Sequence, residues 1–182
     1  IKQLDRENFE EYISQFPVYE YRILDTKGIQ VRERVRTICS QECERFDTTW
    51  ACPPAVGSLE QCRDRISRYP QAVFFSSVAE VSDLMNMEEM LSTRHQHEKI
   101  TEEIASFLRE QGFSVFTLPQ NPVNLSGVYI PPGKTLQASG KMHPCLESHG
   151  VVAAEIVEEQ QMEYNLGGNT ILWFSMVLFR QE

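Results

Sequence analysis

Blocks of basic residues, membrane-length apolar runs and paired Cys-x-x-Cys knuckles are all missing from this chain, and each absence removes a class of function. Lys and Arg are scattered, 17 against 26 Asp and Glu for a formal net charge of -9, which leaves no electrostatic footprint for DNA or RNA. No apolar stretch approaches the roughly 18 to 20 residues that span a bilayer. The longest is Ile171–Phe179. The segment Ile1–Phe9 lacks the apolar region of a signal peptide, so the expected address is cytoplasmic, with reduced thiols. Five cysteines make an odd number for a disulfide framework, and clustered reduced cysteines are more often metal ligands or catalytic groups. Gly167-Gly168 has neither the spacing nor the strand-to-helix context of a phosphate cradle. No internal repeat is present.

What is there amounts to one domain over residues 1–182, with 41% hydrophobic residues to build a core. Phe9, Tyr12 and Ile13 recur at helical spacing between Asp5 and Gln15, and Pro17 ends that helix. Tyr19–Leu24 reads as a strand, turned at Lys27-Gly28, with Ile29–Val35 pairing back as a hairpin. Ser58 and Gln61 form a capping-box pattern ahead of a helix whose apolar face carries Leu59, Cys62, Ile66 and Tyr69. Ala72–Val78 is a continuous apolar run of strand length, suited to a sheet covered on both faces. A long helix from about Met87 to Gln111, with Met87, Met90, Leu91, Ile100, Ile104, Phe107 and Leu108 inward, leads to a strand at Phe113–Leu118. Strand, crossover helix and strand make a βαβ unit. Residues from about 119 to 142 turn to Pro, Asn, Gly and Ser, an irregular excursion. A helix at about Val151–Gln161 and a strand at Thr170–Phe179 close the pattern. The expected class is α/β (α+β), with a central mixed sheet and a cysteine-rich loop, residues 39–62.

The chemistry concentrates in Cys39, Cys43 and Cys52, separated by three and eight residues, with Trp50 before the last and Pro53-Pro54 after it. Such spacing lets one turn-rich segment wrap thiolates around a metal. The prolines fix the backbone that leaves Cys52. Zinc usually takes paired Cys-x-x-Cys knuckles, so their absence favours an iron–sulfur cluster, where Cys-Pro is a familiar final step. The bland alternative is three packed thiols. Cys62 lies on an apolar helix face, where a fourth ligand and an ordinary core cysteine are equally at home. Cys145, between His143 and His149, is the other candidate fourth ligand, or a free thiol, or the nucleophile of a thiol enzyme. With no fourth thiolate, one iron would stay open as a Lewis acid. His95 and His97, two apart on a helix, cannot share a metal. Trp50 would shield the site, and Arg34, Arg36 and Arg45 would offset thiolate charge.

Arg32-x-Arg34-Val35, then Cys39, Cys43, Phe46, Trp50 and Cys52-Pro53-Pro54, then Tyr69 before an apolar strand, resemble the predicted metal-binding proteins grouped as domain of unknown function 2284. His143-Pro144, Leu146-Glu147 and Gly150-Val151 look like a second block of that family, and Tyr164-Asn165, Gly167 and Asn169-Thr170 like its closing turn. The resemblance thus spans most of the chain. It implies a small cytoplasmic protein of the kind thought to carry iron–sulfur clusters. Three departures stand out: Asp47 where the family usually has glycine, Cys145 where it has serine, and no cysteine in Leu118–Lys141, where it carries a second cysteine-rich segment. A second thiolate-bound cluster is therefore excluded.

The resulting expectation is one 4Fe–4S cluster held by Cys39, Cys43, Cys52 and Cys62, with Cys145 the alternative fourth ligand. It would serve electron transfer to a redox partner protein, or small-molecule conversion at an open iron. A structural zinc site, a metal-free interaction domain and a thiol enzyme using Cys145 are the alternatives. The sequence names no substrate and no catalytic residue.

Overall fold

The computed structural model describes residues 2–42, 57–120 and 145–182, the side chains of 38–42 excepted. Helix α1 (Arg6–Ile13) starts at Asp5, whose carboxylate accepts the Asn8 N–H, and buries Phe9 and Ile13. Strand β1 (Val18–Asp25) runs into a 3-10 turn at Thr26–Gly28. Helix α2 (Glu33–Glu42) precedes the Cys43 and Cys52 segment in the sequence and α3 (Leu59–Ser67) follows it. Strand β2 (Gln71–Glu80), the long α4 (Met87–Glu110) and strand β3 (Phe113–Pro119) follow. A second 3-10 turn (Glu147–His149), α5 (Ala153–Glu159) and β4 (Thr170–Gln181) complete the order.

The sheet runs β1-β2-β4-β3. Its strands alternate side chains between two covered faces, as the pleat requires. Val73, Phe75, Val177 and Phe179 pack on one face against α1 and α4, through Phe9, Ile13, Ile104 and Leu108. Ala72, Phe74, Phe174, Met176 and Leu178 pack on the other, against Ile66 of α3, Leu146 and α5. A sheet buried on both sides explains why β2 and β4 read as unbroken apolar runs. Helices on both faces also separate the molecule into two sides, and the two described candidate ligands, Cys62 and Cys145, belong to the side of α2 and α3. Among the described residues no helix is long and apolar enough to cross a membrane.

The α+β class holds, with two corrections of detail. All three pairings are antiparallel instead of mixed. The reason is β4: β2 and β3 do run parallel, joined by α4 as expected, but β4 is inserted between them and pairs with both. The hairpin does not form either. The edge of β1 is taken by β2, from Asp25 against Gln71 onward. Ile29 and Val31 pack against the core from an extended connection, the Arg32 N–H donates to the Gly150 carbonyl at 2.8 Å, and the chain turns helical at Glu33. Met87 also departs from expectation: as the first residue of α4 it lies on the rim, 42% exposed. The excursion expected over about 119–142 lies outside the described residues from 121 onward.

Candidate metal centre

Cys62 is set by its helix. Ser58 and Gln61 form the reciprocal capping box, which fixes where α3 starts and puts Cys62 and Ile66 on its inner face. The Cys62 side chain is fully buried. Its Sγ stands 3.6 Å from the Arg36 guanidinium of α2 and 3.8 Å from the Ser148 carbonyl in the second 3-10 turn. Arg36 is the hub of this junction. One of its terminal nitrogens donates to the Gly57 carbonyl at 2.7 Å, the other to the Ser148 carbonyl at 2.8 Å. Its Nε is buried with no hydrogen-bond partner among the described residues.

Cys145 borders the same turn from the opposite end. Its Sγ accepts the Ser148 N–H at 3.3 Å, and the Ser148 hydroxyl donates to the Cys145 carbonyl at 2.7 Å. Ser148 therefore touches both described thiols. Gly150 lets the turn approach α3: its φ is +74°, and a Cβ there would meet Val31 at 2.9 Å and Leu59 at 3.0 Å.

His149 is fully buried, and burial first, then the charges of Arg65 and Arg36, push its pKa down to about 3. It is neutral at ordinary pH. Because Arg65 only donates, the Nε2 at 2.8 Å from it must be the acceptor, which leaves the proton on Nδ1 facing the Ser148 hydroxyl at 3.0 Å. Both ring nitrogens are thus engaged away from the Cys145 thiol. His97 is no ligand candidate either: it is buried between the hydroxyls of Ser77 and Ser175, while His95 points to solvent.

Of the expected ligands, Cys62 and Cys145 are brought to one turn. Cys39 lies in α2, three residues after Arg36, with its side chain outside the description. Cys43, Cys52, Trp50, Arg45 and His143 lie outside the described residues. Among the described residues no group of three or more His, Cys, Asp or Glu side chains is arranged to hold a metal ion. What the described residues offer a thiolate-bound metal is one buried sulfur, Cys62, facing a cation whose Nε–H has no partner among the described residues. Of the charges expected to offset thiolates, Arg36 is in place, whereas Arg34 pairs with Glu155 at 2.5 Å. Arg65 and Ser148 were missed. Arg65 had a signal, three residues after Cys62 and so on the same helix face; Ser148, in a polar turn, had none.

None of the curated proteins and none of the solved structures matches the chain. The family model described as predicted metal-binding protein (DUF2284) matches residues 22–179, which include every expected ligand and the whole sheet apart from the first residues of β1 and the last of β4. The chain belongs to the DUF2284 family of predicted metal-binding proteins.

Proposed function

We propose that this protein is a one-cluster iron–sulfur protein that exchanges electrons with a redox partner in a reducing, cytoplasmic setting. Cys39, Cys43, Cys52 and Cys62 would hold a 4Fe–4S cluster. The observation that carries the reading is the buried Cys62 sulfur, held beside Arg36, which also donates to the Gly57 carbonyl. A sulfur in that position serves a ligand well, because the guanidinium offsets thiolate charge that burial alone would penalise. Four thiolates would leave no open iron, which favours electron exchange over conversion of a small molecule at the metal. A bound cluster supplies one-electron exchange; the chain supplies a dry wall, an oriented cation and a fixed ligand. Cys145 is the alternative fourth ligand. The thiol-enzyme reading lacks a described base, since the His149 nitrogens are occupied.

The test is full-length protein prepared anaerobically, with iron, acid-labile sulfide and the visible spectrum measured. The expected result is about four irons and about four sulfides per chain. Loading should be lost or reduced in each of Cys39→Ser, Cys43→Ser, Cys52→Ser and Cys62→Ser, and kept in Cys145→Ser. A colourless protein with no iron after reconstitution ends the cluster reading. Stoichiometric zinc whose removal by a chelator unfolds the chain would establish the structural zinc site instead. Full loading of Cys62→Ser with loss in Cys145→Ser would exchange the fourth ligand.

A further inference from the structure

We propose that the end of the sheet where β2 leaves and β4 enters is a docking surface for a basic amphipathic helix of a partner protein, seated on Leu84, Met85, Met87 and Leu166. Neither the metal centre nor its ligands take part. Glu80 pairs with Thr170 at this end. The two loops that meet there are tied together: the Val81 N–H donates to the Asn169 carbonyl at 2.9 Å, and the Asn169 side-chain amide donates to the Ser82 carbonyl at 3.1 Å. Between them, with the first residue of α4, they expose four large apolar side chains, Leu84 at 43%, Met85 at 84%, Met87 at 42% and Leu166 at 39%.

The turn that carries Leu84 and Met85 is braced. Ser82 donates its N–H to one Glu89 oxygen and its hydroxyl to the other, each at 2.7 Å. Asp83 accepts the Met85 N–H on its carboxylate at 2.9 Å and the Asn86 N–H on its carbonyl at 3.1 Å. Beneath the turn, Val81 and Met90 pack with Ile171 and Trp173. The fold thus holds Leu84 and Met85 in water, although apolar surface gains by leaving it, and grouped exposed apolar residues of this kind mark interaction sites. Methionine is unbranched and polarisable, which lets it fit the side chains of a partner.

Charge selects the partner. Residues 69–93 and 145–179 contain no Lys or Arg, whereas Glu80, Asp83 and Glu88 stand exposed around the turn. Arg94, the first cation along α4, is buried. An apolar patch with a rim of one sign repels acidic surfaces, anionic lipid headgroups included, and attracts Lys and Arg. An amphipathic helix supplies both requirements, an apolar stripe for the patch and flanking Lys for the rim.

The probe is a fluorescein-labelled helix of about 18 residues made of Leu and Lys, with Leu along one face; its control has the same composition shuffled so that the faces do not segregate. Anisotropy is titrated with full-length protein at about 0.15 M salt. Saturable binding is expected, weakened about tenfold in Met85→Ser and about threefold or more in Glu88→Lys, with affinity falling as salt rises. Met85 is exposed, so Met85→Ser spares the core, and thermal melting checks the fold. Glu110→Lys makes the same change of net charge about 33 Å further along α4 and should leave the affinity unchanged. In methionine-methyl NMR the Met85 and Met87 signals should move on binding, while Met162 and Met176 of the main core stay. Absence of saturable binding, equal losses in Glu88→Lys and Glu110→Lys, an unchanged affinity in Met85→Ser, or a shuffled peptide that binds as tightly overturns the proposal. A wild-type dimer in sedimentation that Met85→Ser abolishes also overturns it, since the occupant would then be a second copy of this chain.

Discussion

Stability should fall as the solution is acidified below neutrality, and His97 makes that fall calculable. Burial first, then the Arg94 charge, hold the His97 pKa well below its ordinary value of 6.5. The folded protein keeps the ring neutral while the unfolded chain takes up a proton. A depressed folded pKa contributes stability that is present above the unfolded value and lost below it. Between about pH 7.5 and about pH 5.5, one such group removes about 1.4 kcal/mol, the free energy of protonating a histidine of pKa near 6.5 in the unfolded state only. His149, pushed down to about 3, adds a second loss of similar size over the same interval. Tyr12 and Tyr21, both raised to about 12, titrate far above the interval. The assay is urea unfolding at both pH values on wild type and His97→Gln. The variant should lose about half of the pH dependence, and about 1–3 kcal/mol at neutral pH because the Ser77 and Ser175 hydroxyls lose a buried partner. A wild-type stability that is flat across the interval, or a variant with the full wild-type dependence, would refute the reasoning.

Three further outcomes are expected. Gly150→Ala should cost about 1–3 kcal/mol, because it strains a left-handed backbone and drives a Cβ to 3.2 Å from the Arg32 nitrogen; calorimetry reads the loss, and an unchanged melting temperature would contradict the close packing of the turn. Ser58→Ala should cost about 1 kcal/mol by removing the capping box of α3, with Ser58→Gly costing only a few tenths; equal losses would mean that the cap is not what the hydroxyl provides. Phe174→Ala should cost about 3–5 kcal/mol, since Phe174 is 1% exposed and stacks between Phe74 and Tyr164; denaturant titration measures it, and a loss below that range would show that the core closes over the gap.

Local signals carried most of the elements. The end of α4 was legible because Gly112 takes a φ of +92° that few other residues adopt. The capping box of α3 was legible for the same reason, since cap chemistry is written within a few residues. Ile29–Val35 misled because Ile29 and Val31 alternate like a strand, and alternation says that two side chains are buried without saying what lies beside the backbone. The sheet order depends on which strands pair with β2, a question of partners distant in sequence. The site divides the same way. Cysteine spacing pointed to one segment, while the contact of Arg36 with Ser148 joins residues 112 apart and leaves no local trace.

The place of β4 has a consequence for biosynthesis. Translation delivers β2 and β3 before residues 170–181, so β2 leaves the ribosome with only β1 to pair with and β3 with no partner strand. Until β4 slots in, a nascent chain exposes two apolar strand edges, the condition under which β-rich chains aggregate. Ser148 also emerges long after Arg36, so the clamp at Cys62 cannot close while the cysteine segment is first exposed. The Cys62 thiol is thus made long before the Ser148 carbonyl that borders it, and the junction around it is completed only late in synthesis.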